Sequence, residues 1–523
     1  MDDKIRELAE AYKPLAIRIL KEAIRIPADY VDKPADQGGD PDCGLSNHEG
    51  PRLEYLKDKI LEVGAVDGPD DVGFDTFGNL VWTVADPDDG VAASEKTVIY
   101  FDGHTDTVKA LRPRWHETIG GGIDSYLGMT DPSRVDQEFL RRELGWLPDE
   151  SEWEHLVWGR GSADQLSGVI CQIIATKVLR ELRPEGSLRG VIVRSYATVA
   201  EEDNDGGGPM YLMREVLPGA PPEMIPDVFI LSEPTGSAFH GALGIYRGQR
   251  GRMQIEVEVT GKSCHGSMPA EGRNPLEYGG AILAEAAARH ARGDGFLDDD
   301  FLGKGTRTAS FATLETPSDC AVPERFTFRF DRRLTAGETP EQAVADIDAL
   351  KAVARARDDG LVVEVRVPLY DQLTWRGHRP GNPQIYPGWA TPEEHPAIQC
   401  AAEAYRRVVS PGIEADAGGE GGGGLRKEPR VSRWVFSTDG VGVPVPTVDS
   451  AAAHDSDKQV LQVPAGKRWV EAGAFRHPAM FGFGPGHEEN THKIGECVDS
   501  REIPPVVALY ARFPSLYREK VTS

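Results

Sequence analysis

The sequence predicts an α/β protein of two domains, the larger built on a sheet with parallel strands and interrupted by the smaller. Three observations predict it. The chain has 523 residues, too many for one simple core at about 100–200 residues per domain. From residue 98 to about 235, β-forming runs alternate with a helical stretch, as "TVIYF", "QLSGVICQIIATKVLREL", "GVIVRSYATV" and "DVFILSE", which is the pattern of parallel strands joined by crossovers. After "RGQRG" the character changes. Met253, Ile255, Val257 and Val259 alternate with polar residues, as a half-exposed strand does.

The remaining elements follow in order. "MDDKIRELAEAYKPLAIRILKEAIRIP" carries Ile, Leu and Ala at helical spacing between charges, unlike the apolar core of a secretory signal, and predicts a surface helix. The smaller domain continues through a helix at "YGGAILAEAAARHA", a strand "RFTFRF", a helix "TPEQAVADIDALKAVARA" and a strand "LVVEVRV". Two strand–helix–strand units on one sheet result. The Pro- and Gly-rich "WRGHRPGNPQIYPGW" reads as the return linker, after which "HPAIQCAAEAYRRVV" resumes helical spacing. The larger domain is thus expected at 1–245 and 379–523, around a smaller domain at 246–378. "EADAGGEGGGG", residues 414 to 424, is low-complexity and reads as a mobile loop.

Composition narrows the function. A net charge of −26 argues against sequence-independent binding to nucleic acid or to anionic lipid, since both need a basic face. The acidic excess fits solubility or a saline habitat equally. Hydrophobic residues are 40% and charged residues 27% of the chain, a globular composition. No apolar run of membrane-spanning length occurs, and a cytoplasmic protein is expected. The six cysteines have no CxxC spacing, so neither a thiolate metal site nor a disulfide scaffold is indicated.

The chemistry concentrates at strand ends. "TVIYFDGH" ends at His104, "VIVRSYATVAEE" at Glu201 and Glu202, and "DVFILSE" at Glu233, while "WGRGSAD" delivers Asp164 just before a helix. In a parallel sheet these ends share the edge where ligands bind. Clustered carboxylates there repel one another and resist desolvation unless a cation neutralises them. Oxygen and imidazole donors without thiolate suit zinc, manganese or cobalt. Asp106 is placed to accept the second ring N–H of His104. Each acid alone is equally an ordinary loop carboxylate, and Asp164 equally a helix N-cap. No G-x-G-x-x-G follows the strands, which sets aside a dinucleotide fold.

Six ordered strings, "GHTDTV", "GRGSADQLSG", "AEEDNDG", "LSEPTG", "GKSCHGSMPAEGRNP" and "FGPGHEENTHKIGE", together resemble the zinc metallopeptidase family of acetylornithine deacetylase, succinyl-diaminopimelate desuccinylase and glutamate carboxypeptidase. The flavour is nearest to a bacterial subgroup of hydrolases of undefined substrate. The resemblance implies a zinc-exopeptidase-like mixed sheet with helices on both faces, and an inserted ferredoxin-like lid through which two copies pair. It implies two zinc ions per chain, with cobalt or manganese as substitutes. Asp164 would bridge them, with Glu202 and His492 on one and His104 and Glu233 on the other. Glu201 would be the base and Asp106 the partner of His104. "GHEENTH" offers both His487 and His492, and family spacing selects His492, with Glu496 where the family has a carboxylate. His487 is left as a loop or substrate-side residue. His265 would reach the partner's site and stabilise the oxyanion. Arg333, with Arg332 as its rival, and Asn274 would bind the substrate.

Two insertions, at about 111–157 and 411–433, depart from the family pattern and are expected to wall the substrate pocket. "DQLSG" replaces the commoner D-M-K-G-G without removing a ligand. The function implied is hydrolysis of an amide bond in a small N-acyl amino acid, carbamoyl compound or short peptide. Glu at 233, where aminopeptidases have Asp, resembles the deacylase and carboxypeptidase branch. A dipeptidase or aminopeptidase of the same fold is the alternative within the class. A non-catalytic metal-binding scaffold is the alternative outside it, although such a protein would typically lack the base or a ligand.

Overall fold

A computed structural model describes residues 1–28, 48–108, 110, 115, 136–145, 150–370, 372–413, 424–447 and 460–523. Its first stretch contains α1 (Asp2–Ile24), α2 (Gly50–Glu62), β1 (Val72–Phe74), β2 (Leu80–Ala85), β3 (Thr97–His104), α3 (Gln137–Leu144), α4 (Ser167–Glu181), β4 (Val191–Thr198), α5 (Glu201–Asn204), β5 (Val228–Gly236) and β6 (Gly244–Gln249). There follow β7 (Gly251–Thr260), α6 (Pro275–Arg292), β8 (Thr306–Glu315), β9 (Arg325–Leu334), α7 (Pro340–Asp348), α8 (Lys351–Asp358), β10 (Val362–Arg366) and β11 (Ile385–Tyr386). The last stretch holds β12 (Trp389–Ala390), α9 (Pro396–Val408), β13 (Arg430–Trp434), β14 (Ala479–His487) and α10 (Ile503–Thr522).

The large sheet runs β1-β2-β4-β3-β5-β14-β6-β12, with β13 also on β6. Its centre is parallel. β3 pairs in parallel with β4 and β5, and β5 with β14, whereas β2 joins β4, and β6 joins β14, antiparallel. All eight residues of β3 and all nine of β5 are buried, as expected of strands covered on both faces. One face packs on α1, α4, α9 and α10. The other face, with Tyr100, Phe229, Trp389, Trp434 and Met480, is covered by short helical turns between Gly207 and Met224 and by the segment around Val443 and Val445. The N-terminal helix buries Ile5, Ala9, Ala16, Ile19, Leu20, Ala23 and Ile24 and turns its charges outward.

The smaller sheet runs β8-β9-β7-β10, entirely antiparallel, with α6, α7 and α8 supplying its helices. The order and the β-α-β-β-α-β succession make it ferredoxin-like. The molecule is therefore a mixed α/β sheet with an inserted α+β unit, the fold class that the sequence predicts. Among the described residues no helix is long and apolar enough to cross a membrane.

Several details differ from the sequence reading. β7 is central, so Gln254 and Glu256 are buried; the Glu256 carboxylate is held by Arg329 and Arg366 at 2.7 Å each. β8 was not predicted, because "TRTASFATLE" mixes small polar and apolar residues without clean alternation. It is nevertheless the sheet edge, with eight successive exposed residues. The helix expected over "TPEQAVADIDALKAVARA" breaks at Leu350, whose backbone is extended. The return linker is partly strand, since β11 pairs with β7 and β12 with β6. Part of the second insertion is β13, an integral strand whose Trp434 is fully buried. Most of "EADAGGEGGGG" lies outside the described residues.

One close approach sets the depth of α4 behind the site. A Cβ at Gly168 would stand 2.2 Å from the Ser232 carbonyl oxygen on β5. Backbone cannot yield there as a flexible side chain would. Gly168→Ala is expected to destabilise the fold by about 1–3 kcal/mol through overpacking, seen as a lowered urea midpoint with an unchanged m value. An unchanged midpoint would mean that α4 moves freely over β5.

Candidate metal centre

Strand geometry brings the predicted residues to one place. His104 is the last residue of β3, and Glu233 lies within β5, the neighbouring strand. Glu201 and Glu202 open the single turn α5, two residues beyond β4. Asp164 sits in a non-helical turn ahead of α4 (φ −114°, ψ 93°). The N-cap position of α4 is Leu166, so Asp164 is not the cap. His492 comes from the loop after β14, in a left-handed conformation (φ 62°) that is uncommon for a residue with a side chain.

The distances fall into two groups that meet at Asp164. His104 Nε2 lies 2.9 Å from Asp164 Oδ1 and 3.5 Å from Glu233 Oε1. His492 Nε2 lies 3.2 Å from Asp164 Oδ2 and 3.0 Å from Glu202 Oε2. Each oxygen of one carboxylate therefore faces a different imidazole. Glu201 Oε2 is 3.9 Å from His104 Nε2. Donor atoms of His104, Asp164 and Glu202, and of His104, Glu201 and Glu233, converge closely enough to hold metal ions. The side chains are buried, except that of His492, which is 54% exposed.

Asp106 does more than the sequence suggested. Its Oδ1 lies 3.4 Å from His104 Nδ1, and its carbonyl oxygen 3.2 Å from the same nitrogen. Its carboxylate also accepts the backbone N–H of Glu201 at 3.2 Å and of Glu202 at 2.9 Å. Glu496, fully buried, forms a 2.7 Å ion pair with Arg160 and accepts the backbone N–H groups of Ala163 and Asp164 at 3.0 Å. It thus holds the turn that carries Asp164. The described part of the first insertion, α3, packs on the His492 loop: Lys493 Nζ donates to the Leu144 carbonyl at 3.0 Å, and Gly495 lies against Leu140.

The electrostatics fit a cation-binding donor set. Asp106, Asp164, Glu201, Glu202 and Glu233 crowd two imidazoles. Burial pushes Glu233 up to about 8, and the Asp164 charge adds to it. Burial likewise drives Glu201 well above the ordinary carboxylate range, opposed by His104. The Glu202 charge lifts His492 to about 11 against its burial, with help from Asp164. Burial would lower His104, yet its hydrogen bonds to the accepting carboxylates of Asp106, Asp164 and Glu233 carry it far above its usual value. Unneutralised, so many carboxylates repel one another. Divalent cations would cancel their charge.

Other predicted residues lie elsewhere. His487 ends β14, half-buried, and its Nε2 sits 3.5 Å from Glu502 Oε1. His265 is exposed on the smaller domain, where its Nδ1 accepts from Ser267 N at 3.1 Å. Asn274 caps α6 through Leu276 N and donates to Glu277. Arg332 pairs with Glu338 at 2.7 Å. Arg333 pairs with Asp331 at 2.8 Å and donates to Ser437 Oγ at 2.8 Å. Sequence reading missed Arg160, although it lies inside the "GRGSAD" motif, and missed Asp205 and Asp439. Asp439 is buried and accepts from Thr198 Oγ1 at 2.8 Å, and no sequence signal marks it.

Glu496→Gln is expected to weaken metal binding about 10- to 100-fold, the usual weight of an outer hydrogen-bonding partner. Competition with a chromophoric chelator measures this directly. Unchanged affinity would restrict Glu496 to holding the fold.

Known proteins resemble this chain in its smaller domain, along its length and in its fold. Residues 247–357 match the M20 family's peptidase dimerisation domain. The chain is 28% identical over 511 residues to the uncharacterized protein YgeY of Escherichia coli K12, covering 98% of this chain and 96% of that one. It is 26% identical over 188 residues to succinyl-diaminopimelate desuccinylase of Dechloromonas aromatica, covering 36% of this chain and 46% of that one. Its fold matches a dinuclear metal binding peptidase of the M20 family, the YXEP protein of Bacillus subtilis, with a TM-score of 0.51, 12% identity, and 97% and 98% of the two chains covered. The dimerisation domain, the relative matched along nearly the whole chain and the fold agree in their likeness to the M20 family of metallopeptidases and deacylases.

Proposed function

We propose that this hydrolase uses two divalent metal ions, zinc in the first instance, to cleave an amide bond in a small N-acyl amino acid, carbamoyl compound or short peptide. The observation that carries the reading is the division of Asp164, with Oδ1 toward His104 and Oδ2 toward His492. His104 and Glu233 would complete one ion's donors, and His492 and Glu202 the other's. Ions so held supply the charge that polarises a substrate carbonyl and acidifies a water. The names of the relatives, a desuccinylase and a dinuclear peptidase, support amide hydrolysis.

The protein's own groups do the rest. Asp106 fixes the His104 ring through Nδ1 and holds the backbone of both glutamates. Glu202 is thereby turned toward His492, which leaves Glu201 free of that pairing. Its buried carboxylate, 3.9 Å from His104 Nε2, is placed to take a proton from the attacking water and pass it to the departing amine.

Oxyanion stabilisation is assigned to His265. Because its Nδ1 accepts the Ser267 N–H, the ring hydrogen resides on Nε2, the tautomer that a hydrogen-bond donor needs. That donor would serve the active site of a second copy, in a homodimer formed through the smaller domain. The exposed edge strand β8, with Phe311 47% and Leu314 40% exposed, supports such pairing, since a long uncovered edge is otherwise a liability. Arg333 would anchor a substrate carboxylate by exchanging its bond to Asp331, with Asn274 contributing from the α6 cap.

Removal of metal with a chelator is expected to abolish hydrolysis, and zinc, cobalt or manganese to restore it. Full turnover by metal-free protein would refute the mechanism. Glu201→Gln should retain both metals and lose about 10²–10⁴ in turnover, whereas Glu202→Gln should lose metal as well; elemental analysis beside kinetics separates the two.

Mixing Glu201→Gln with His265→Ala subunits, dissociated and reassociated, should restore activity if His265 acts across the dimer. No recovery would place His265 in its own subunit's site or outside the reaction.

A further inference from the structure

We propose that Arg252 and Tyr386, neighbours across the root of the smaller domain's sheet, are positioning residues that fix the α5 turn and tie placement of Glu201 to the seating of that domain. The inference rests on the reading of Glu201 as the base. Arg252 lies on β7 and Tyr386 on β11, directly opposite in the register. Both reach out of their own sheet to the large domain. Arg252 Nη1 donates to Asp205 Oδ2, and Tyr386 Oη donates to Asn204 Oδ1 at 2.7 Å.

The turn needs such support. It has four residues, and both flanking positions are left-handed without being glycine: Ala200 at φ 59° and Asp205 at φ 38°. Conformations of this kind persist when surrounding contacts over-determine them. The amino end is held by the large domain, since Ala200 N donates to Glu49 Oε1 at 3.0 Å and the next two N–H groups donate to Asp106. The carboxyl end is held by the smaller domain. There Arg252 is itself oriented by Asp331 at 3.0 Å, which also holds Arg333. Ser437 closes the ring, accepting from Arg333 at 2.8 Å and donating to Asp205 Oδ1 at 3.1 Å. Asn204, Asp205 and Tyr386 are all buried, so water cannot replace these partners without opening the joint.

A tilt of the smaller domain therefore pulls on one end of a turn whose other end is fixed. Glu201 is the first of the four residues between those anchors. Substrate contacts made by the smaller domain would in this way reach the base without touching it.

The test compares Arg252→Gln, Arg252→Lys and Tyr386→Phe with Glu201→Gln, each as the zinc-loaded full chain, on an N-acetyl amino acid or dipeptide that the parent enzyme hydrolyses. Arg252→Gln is expected to lower kcat about 10- to 100-fold, with KM changed less than threefold and two metals per chain retained. Tyr386→Phe should lower kcat to a smaller degree, and Arg252→Lys should recover part of the loss. The cobalt-substituted Arg252→Gln protein should show a shifted visible absorption band, because Glu202 shares the turn. Adding Asp205→Asn to Arg252→Gln should cost little more, as for members of one interaction. A lowered melting temperature with kcat and the cobalt spectrum unchanged in both Arg252→Gln and Tyr386→Phe would overturn the proposal, leaving the pair as domain adhesive. If Glu201→Gln kept full turnover, the base assignment itself would fail, whatever the other variants did.

Discussion

Negative charge packed at the carboxyl edge of a parallel sheet is the constraint on which the rest of the structure depends. Five carboxylates and the His104 imidazole are buried together with the exposed His492 beside them, and the two nitrogens that face Asp164 stand 2.9 and 3.2 Å from its oxygens. Such a cluster is costly to bury unless cations or protons cancel its charge. The surrounding structure is arranged to hold it in spite of that cost. Glu496 and Arg160 grip the Asp164 turn, Asp106 grips α5, and α3 buttresses the His492 loop.

The same constraint explains why so little of the site stands on regular structure. His104 and Glu233 are set by the register of β3 and β5. The other ligand candidates sit on turns with unusual backbone, at Asp164, at α5 and at His492. Turns can aim side chains back over a strand edge, but they need outside contacts to keep their shape. Those contacts come from segments remote in sequence, including the smaller domain through Arg252 and Tyr386. The two domains are therefore joined at the turn that carries Glu201, and not only through the connecting strands.

Much of the fold was legible in the residues. Continuous β-forming runs marked β3, β4 and β5, and the alternation from Met253 to Val259 marked β7. The edge strand β8 escaped, because an exposed strand of small polar residues lacks the pattern that burial imposes. β13 was taken for an insertion because its neighbours in the sheet lie far away in sequence. The site was legible for a different reason. Acids and a histidine at the ends of buried strands point to His104, Glu201, Glu202 and Glu233, with Asp164 just ahead of a helix; only the family resemblance selects His492 over His487, and the distances bring all six together. Arg333 was readable as a candidate, but its bond to Asp331 and its link through Ser437 to Asp205 were not.

By itself, then, the sequence determined the fold class, the strand ends that carry the candidate donors, and the family resemblance. Periodicity and residue chemistry are local properties, and each of these conclusions needs only local information or the order of motifs. Tertiary structure alone decided that Asp164 offers one oxygen to each histidine, that Asp106 supports both glutamates as well as His104, and that His487 turns to Glu502. It alone decided that β8 is the free edge and that Arg252 and Tyr386 meet α5. Each of these is a contact between side chains far apart along the chain, fixed by sheet register and by the backbone conformation of turns, which no local pattern encodes.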